Sequence, residues 1–186
     1  MPTKKDIRFQ RVESLIYYAL IQLLHEKSLN QITVQDICER AKISRSGFYL
    51  HYVDKHDLIE KYIENIMKVG TETLLSNIGN SILPHEILNF FNSDGKLLAL
   101  LISDNGSLDV QKMILSLLVE NAKSVLLTNM NIKMESDTEL RYLICYLSNA
   151  SFGVVQEWVN SGQKESPEEL AVVLKNVMNV MKSLYE

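Results

Sequence analysis

The chain reads as an all-α protein of about nine helices. It divides into a small N-terminal three-helix unit built around a helix-turn-helix and a larger C-terminal helical domain. Three observations predict this. Apolar residues recur at three- and four-residue spacing over most of the 186 residues. Capping side chains and Gly/Pro/Asn clusters punctuate those periodic stretches. No segment reads convincingly as a strand, and no internal repeat or low-complexity tract is present.

In order, residues 1–7 read as a short, basic, mobile arm. Residues 8 to about 25 form an amphipathic helix, with Phe9, Val12, Leu15, Ile16, Ala19, Leu23 and Leu24 on one side. Thr33 caps the next helix, with Asp36 three residues on to answer its first-turn amides. Val34, Ile37, Cys38 and Ala41 give that helix one apolar face. Ser44 caps a second short helix, which contains Phe48, and Asp54 and Asp57 repeat the capping pattern for a long helix from Lys55 to near Ser76. Tyr62, Ile63, Ile66 and Met67 begin its inward face, and the stretch NIGNSILP at 77–84 ends it.

The expected domain division lies inside this long helix, giving residues 1–60 and 61–186. A shared helix can transmit movement where a floppy linker could not. Beyond it, helices are expected over 85–92, 95–103, 108–130, 137–160 and 167–184, with SDNGS at 103–107 as a turn. SGQKESPEE breaks the last two, with Ser166 as cap and Pro167 at the first helical position.

Composition narrows the function. No apolar run approaches the ~18 residues that span a membrane, and MPTKKDIRFQ lacks the hydrophobic segment of a secretory signal. A cytoplasmic protein that neither spans nor binds a membrane is expected. Cys38 and Cys145 lie far apart within apolar helical patterns, and both are expected to be reduced core residues. The net charge is −4. It is unevenly placed: residues 1–61 hold ten Lys/Arg against eight Asp/Glu, and residues 62–186 hold nine against fifteen. The front is therefore the part suited to a polyanion.

A helix, a brief turn and a second helix is the geometry that lays the second helix in the DNA major groove. Lys42, Ser44, Arg45, Ser46, Gly47, Tyr49 and His51 cluster there. Arg45 suits guanine O6 and N7, or a phosphate. Gly47 costs a helix about 1 kcal/mol relative to Ala, which is reasonable where backbone must approach DNA; a packed short helix that merely tolerates it is the plainer alternative. Phe48 and Tyr52, one turn apart, are expected in the small core. Lys55 stands at a helix N-terminus, where a cation is unfavourable until an anion arrives, and a DNA phosphate is the natural anion. Thr33 is expected to touch phosphate as well as cap. Lys4, Lys5, Arg8 and Arg11 either add nonspecific attraction or form a solvated tail.

The motifs T-V-x-D-I, A-x-I-S-R-S-G-F-Y-x-H-Y and D-K-x-D-L, within residues 8–63, closely resemble the N-terminal domain of the Tet-repressor (TetR) family of bacterial transcription regulators. Gly47 departs from the Thr or small polar residue that relatives often carry. Leu50 departs from the polar or aromatic DNA-contacting group of some relatives, so base preference does not carry over. The resemblance implies phosphate contacts for Tyr49 and His51, a double-stranded DNA operator, a homodimer, and a small-molecule effector held in the rear domain. It implies a sequence-specific regulator, a repressor in the first reading, with a partner-protein-dependent activator or adaptor as the alternative. The segment GVVQEWVNSGQKESPEELA is similar to the C-terminal region of one branch of the family.

Plausible walls for an effector are Tyr62, Phe90, Phe91, Met113, Tyr142 and Trp158, each equally at home in plain core. For pairing, Leu170, Val173, Leu174, Val177, Met181 and Leu184 make an apolar stripe on the last helix. The helix before it adds Leu147 and Val154, with small residues Ala150, Ser151 and Gly153. Doubled by a two-fold axis, two such helices give a four-helix interface. His25, His51, His56 and His85 show no metal-ligand spacing with Cys or carboxylates, and there is no phosphate loop or dinucleotide fingerprint. No catalytic residue, metal or cofactor is expected.

Overall fold

A computed structural model describes residues 4–76, 85–129 and 136–184, which form nine α-helices and one short 3-10 turn with no strand among them. The helices are α1 Lys4–Glu26, α2 Val34–Ala41, α3 Arg45–Tyr49, α4 Lys55–Ser76, α5 His85–Asn92, α6 Lys96–Ile102, α7 Leu108–Asn129, α8 Asp137–Asn160 and α9 Pro167–Leu184. The order matches the sequence expectation, with two differences. Lys4–Ile7, expected in a mobile arm, lie in the first turns of α1. A 3-10 turn at Leu29–Gln31 joins α1 to α2, too short to leave a periodicity. The break at 77–84 lies outside the described residues.

The caps work as their spacing demands. Thr33 Oγ1 accepts the Asp36 N–H at 3.1 Å while Asp36 Oδ2 accepts the Thr33 N–H at 2.8 Å. Asp54 accepts from the Asp57 N–H at 2.9 Å, and Asp57 accepts from the Val53 N–H at 2.8 Å. Ser136 and Ser166 cap α8 and α9. Each cap satisfies donors that a helix leaves free at its first turn.

The N-terminal head packs α1, α2, α3 and the start of α4 around Ile16, Leu20, Leu24, Ile37, Phe48, Leu58 and Ile63, all at most 1% exposed. The core runs on into the rear domain without interruption. Its centre is α6, where every residue from Leu97 to Ile102 is buried. A helix apolar on all sides belongs inside a bundle. Helix α6 packs on α1 in front and on α5, α7 and α8 behind. Its N-cap, Gly95, has no side chain to offer, and the Tyr62 hydroxyl from α4 accepts the Leu98 N–H at 3.1 Å instead.

Cys38 is buried as expected, but Cys145 is exposed. It lies on the outer side of α8 with Tyr142, Asn149, Ala150 and Gly153, all exposed. Apolar and small residues occupy both sides of this helix, so periodicity alone did not say which side faces in.

Candidate nucleic-acid interface

The interface is built from the end of α2 to the start of α4. Helix α2 stops at Lys42, whose φ of 55° and ψ of 43° place it in the left-handed region. A non-glycine residue there is uncommon and carries a steric cost. It lets the chain turn back at once: the Ile43 N–H closes on Cys38 O at 3.0 Å and Ser44 begins the next cap. Ser44 Oγ accepts the Gly47 N–H at 3.0 Å and lies 3.0 Å from Ser46 Oγ. A Cβ on Gly47 would stand 3.2 Å from Ser44 Oγ, so the glycine leaves room for this cap as well as for an approaching backbone.

Phe48, at 0% exposure, pins α3 from behind. Arg45, Ser46, Tyr49 and Leu50 are exposed, and their i, i+1, i+4, i+5 spacing makes one helical face. Tyr49 stands beside Arg45, and hydrogen bonding to it pushes the guanidinium pKa up. Lys42, Ser44, Arg45, Ser46, Gly47, Tyr49 and His51 are thus held in one continuous surface segment.

Lys55, expected to meet a DNA phosphate, is engaged within the chain as well. Its ammonium donates to Leu29 O and Ile32 O, each at 2.7 Å. Burial pushes its pKa down, with Asp36 opposing. The carbonyls of the 3-10 turn face the start of α4, a contact that joins residues 26 and 23 apart in sequence. Thr33 is exposed, but its hydroxyl is already engaged with Asp36. His51 is half-buried, its ring stacked on Phe9 at 3.8 Å between centroids. Burial pushes its pKa down, and its Nδ1 finds no hydrogen-bond partner among the described residues. Arg11 is exposed on α1; the side chains of Lys4, Lys5 and Arg8 lie outside the described residues.

The head is braced by long-range contacts that the sequence did not reveal. Arg40 grips Glu26 with two hydrogen bonds of 2.8 and 2.7 Å, and Lys27 meets Asp36 at 2.8 Å, tying α2 to the end of α1. Tyr52, buried as expected, has its hydroxyl 3.2 Å from Glu13 Oε1 and 3.1 Å from the Tyr17 hydroxyl. The Tyr17 ring in turn meets Tyr62 edge-on at 5.0 Å.

Residues 16–62 match the profile of bacterial regulatory proteins of the tetR family, and residues 85–180, just over half of the chain, match that of a transcriptional regulator C-terminal region of the same family. The chain belongs to the TetR family. It is a DNA-binding transcriptional regulator. Over 61 residues it is 41% identical to YxbF of Bacillus subtilis (strain 168), an uncharacterized helix-turn-helix-type transcriptional regulator; the aligned stretch is 33% of this chain and 16% of that protein. A TetR transcriptional regulator from Streptococcus agalactiae 2603V has a similar structure, with a TM-score of 0.60 and 24% identity over 93% of this chain and 96% of that one. So does DhaS, a dihydroxyacetone kinase operon activator (0.58, 19% identity, 93% and 97%). The fatty acid degradation regulator FadR from Bacillus halodurans is a third (0.61, 20% identity, 91% and 93%). At these identities the likeness is one of fold.

In this TetR-family chain the expected effector walls separate. Phe91 and Trp158 are buried, and Phe90 and Met113 are half-buried. The Trp158 N–H is bound by Glu165 O at 2.9 Å, and Tyr62 caps α6. Tyr142 is 64% exposed on the outside of α8, under the Arg141 guanidinium, and so lines no interior. The pairing residues separate too. Val173 and Val177 are exposed; Leu147, Val154 and Leu174 are half-buried. Leu170 belongs to the core, and the side chain of Met181 lies outside the described residues. Leu170 joins the continuous core, and α9 packs on α5. Among the described residues no group of three or more His, Cys, Asp or Glu is placed to hold a metal, and no helix is long and apolar enough to cross a membrane.

Proposed function

We propose that the protein acts in the cytoplasm as a homodimeric repressor that lays one α3 from each protomer in the major groove of an operator. A small molecule bound in the rear domain releases it. The observation that carries this is the solvent-facing side of α3, where Arg45, Ser46, Tyr49 and Leu50 project together while Phe48 anchors the helix. Arg45 is assigned to guanine or phosphate, and Lys42, Ser44, Ser46, Tyr49 and Thr33 to the backbone around it. Gly47 lets that backbone close in. Among the described residues nothing binds the buried Nδ1 of His51, which favours the neutral ring with its proton on Nε2, the donor assigned to a phosphate. Lys55 is chiefly a positioning residue, with the third N–H of its ammonium left for phosphate.

The functional division falls near residue 60, within α4. Exposed Val172, Val173 and Val177 on α9 and the outer side of α8 support dimerisation. Tyr62, Phe90, Phe91, Met113 and Trp158 are the candidates for effector contact. An effector shifts the heads only if it binds the two states with different affinity. Helix α6, packed between α1 and α8, is the natural carrier. A partner-dependent activator is the second reading, because DhaS, an operon activator, has the same fold.

Anisotropy titration against promoter fragments at low ionic strength tests the assignment. Arg45→Ala is expected to weaken binding about ten- to a hundredfold, and wild-type affinity is expected to fall steeply with salt as counterions are released. Unchanged binding by Arg45→Ala, or a flat salt response, would sink it. Transcription in vitro from the bound promoter separates repression from activation.

A further inference from the structure

We propose that Leu50 reads the 5-methyl group of a thymine in the major groove, beside Arg45. The inference rests on the assignment of α3 as the recognition helix. Leu50 is 81% exposed and Val53 77%, the two highest values among the exposed large apolar side chains of the described residues. Both stand at the tip where DNA is expected. Leu50 is the C-cap of α3, still right-handed helical at φ −74° and ψ −20°, with its N–H on Ser46 O at 3.2 Å. Its side chain therefore continues the face of Ser46 one turn on, next to Arg45 and Tyr49. The inward side is filled by Phe48 and Tyr52, whose ring centroids lie 5.6 Å apart, so the leucine has no place to turn in.

The chemistry of this face selects the base edge. From Lys42 to Val53 there is no carboxylate or side-chain amide. The Ser46 hydroxyl is engaged by Ser44. With Lys42, Ser44, Ser46 and Tyr49 assigned to the DNA backbone, what remains for the bases is the guanidinium donor of Arg45 and the isobutyl group of Leu50. Guanine offers two acceptors in the major groove, and the thymine methyl is the one apolar group there. An apolar side chain thus distinguishes thymine from cytosine without a hydrogen bond.

The probe is a duplex selected by the wild-type protein from a random-sequence pool, then remade with deoxyuridine for thymidine one position at a time. This removes only a methyl group. Wild type is expected to lose about fourfold in affinity at one thymidine of a half-site, the value of one buried apolar carbon. Leu50→Ala, which removes the contact in both half-sites, is expected to bind the parent duplex as weakly as wild type binds a duplex with uridine at that position of both half-sites, and to lose nothing more on the uridine duplex. Leu50 is exposed, so the variant keeps its thermal unfolding midpoint. The assignment is overturned if no uridine weakens wild type, or if the methyl effect persists in Leu50→Ala. Arg45→Ala, measured alongside, separates the failures. Loss of binding by Arg45→Ala with silent uridines sinks the Leu50 assignment alone; full binding by Arg45→Ala sinks the recognition helix with it.

Discussion

Asn105 holds both the end of α1, at Leu24, and the 3-10 turn that follows it, at Leu29. Its side-chain amide donates to Leu24 O at 2.9 Å, and its backbone carbonyl accepts the Leu29 N–H at 2.8 Å. The turn that carries it is fixed from behind. Gln111 donates to Ile102 O and Ser103 O, Gln156 donates to Ile102 O at 2.8 Å, and Asn160 Oδ1 accepts the Asp104 N–H at 3.0 Å. Side chains of α7 and α8 thus grip one side of the α6–α7 turn while the head grips the other. Asn105→Ala is expected to cost about 1 kcal/mol in urea unfolding, the net worth of one hydrogen bond. Gly106→Ala is expected to cost more, about 2–3 kcal/mol of overpacking strain, because the added Cβ would sit 2.0 Å from Leu101 O. Equal stability of Gly106→Ala and wild type would contradict this turn geometry.

Lys55 grips the same residue, Leu29, through its carbonyl. A lysine that served only phosphate would leave the DNA-free protein unchanged on replacement. Lys55→Met keeps the length and apolar stem but removes the donor of part-buried Ile32 O and leaves Leu29 O with the Ile32 N–H alone. It is therefore expected to lower DNA-free stability by about 2 kcal/mol, with operator affinity falling as the head loosens. Urea unfolding without DNA is the deciding measurement: an unchanged midpoint would return Lys55 to a phosphate-only role.

Asp36 gives the head an acid-sensitive brace. The Lys27 ammonium, with the Thr33 backbone and hydroxyl, holds its pKa down at about 2 from 3.8. A depressed carboxylate contributes stability that is complete above its unfolded pKa and lost as pH falls through the folded one. The window therefore runs from about pH 4 down to about 2. The contribution is about 1 kcal/mol after solvent screening of a partly exposed pair. Asp36→Asn is expected to be less stable at neutral pH and to show a flatter decline across that window. Parallel pH curves for the two proteins would remove Asp36 from the account.

The helices and caps were legible because they are local. Thr33–Asp36, Ser44–Gly47 and Ser166–Glu169 are each three residues apart, and their hydrogen bonds follow from that spacing. What sequence could not supply was long-range choice of face and partner. Lys55 looked like a free cation because Leu29 and Ile32 lie more than twenty residues away. Asn105 read only as part of a turn, since its partner Leu24 is 81 residues off. Tyr142, expected to face inward, is exposed, and Leu170, expected in a pairing stripe, is buried in the chain's own core. Both α8 and α9 carry apolar residues on two faces, so only the packing of α9 on α5 and of α8 on α6 and α7 separates inner from outer. The resemblance implied a phosphate contact for His51, but nothing in the sequence set Phe9 against its ring.

That second apolar face makes the last prediction. Val173 and Val177 are 48% and 49% exposed, one turn apart on α9. Cys145 stands on the exposed side of α8 among residues assigned to the same pairing surface. Replacing Val173 and Val177 together by Glu puts two charges where a partner helix is expected to pack, and burying unpaired charge is strongly unfavourable. The double variant is expected to sediment as a monomer, keep its helical circular dichroism, and lose most operator affinity because one head alone binds weakly. The Cys145 thiol is expected to react faster with maleimide in that variant than in wild type, since pairing covers it. A variant that still sediments as a dimer, with maleimide rates unchanged, would place the pairing surface elsewhere.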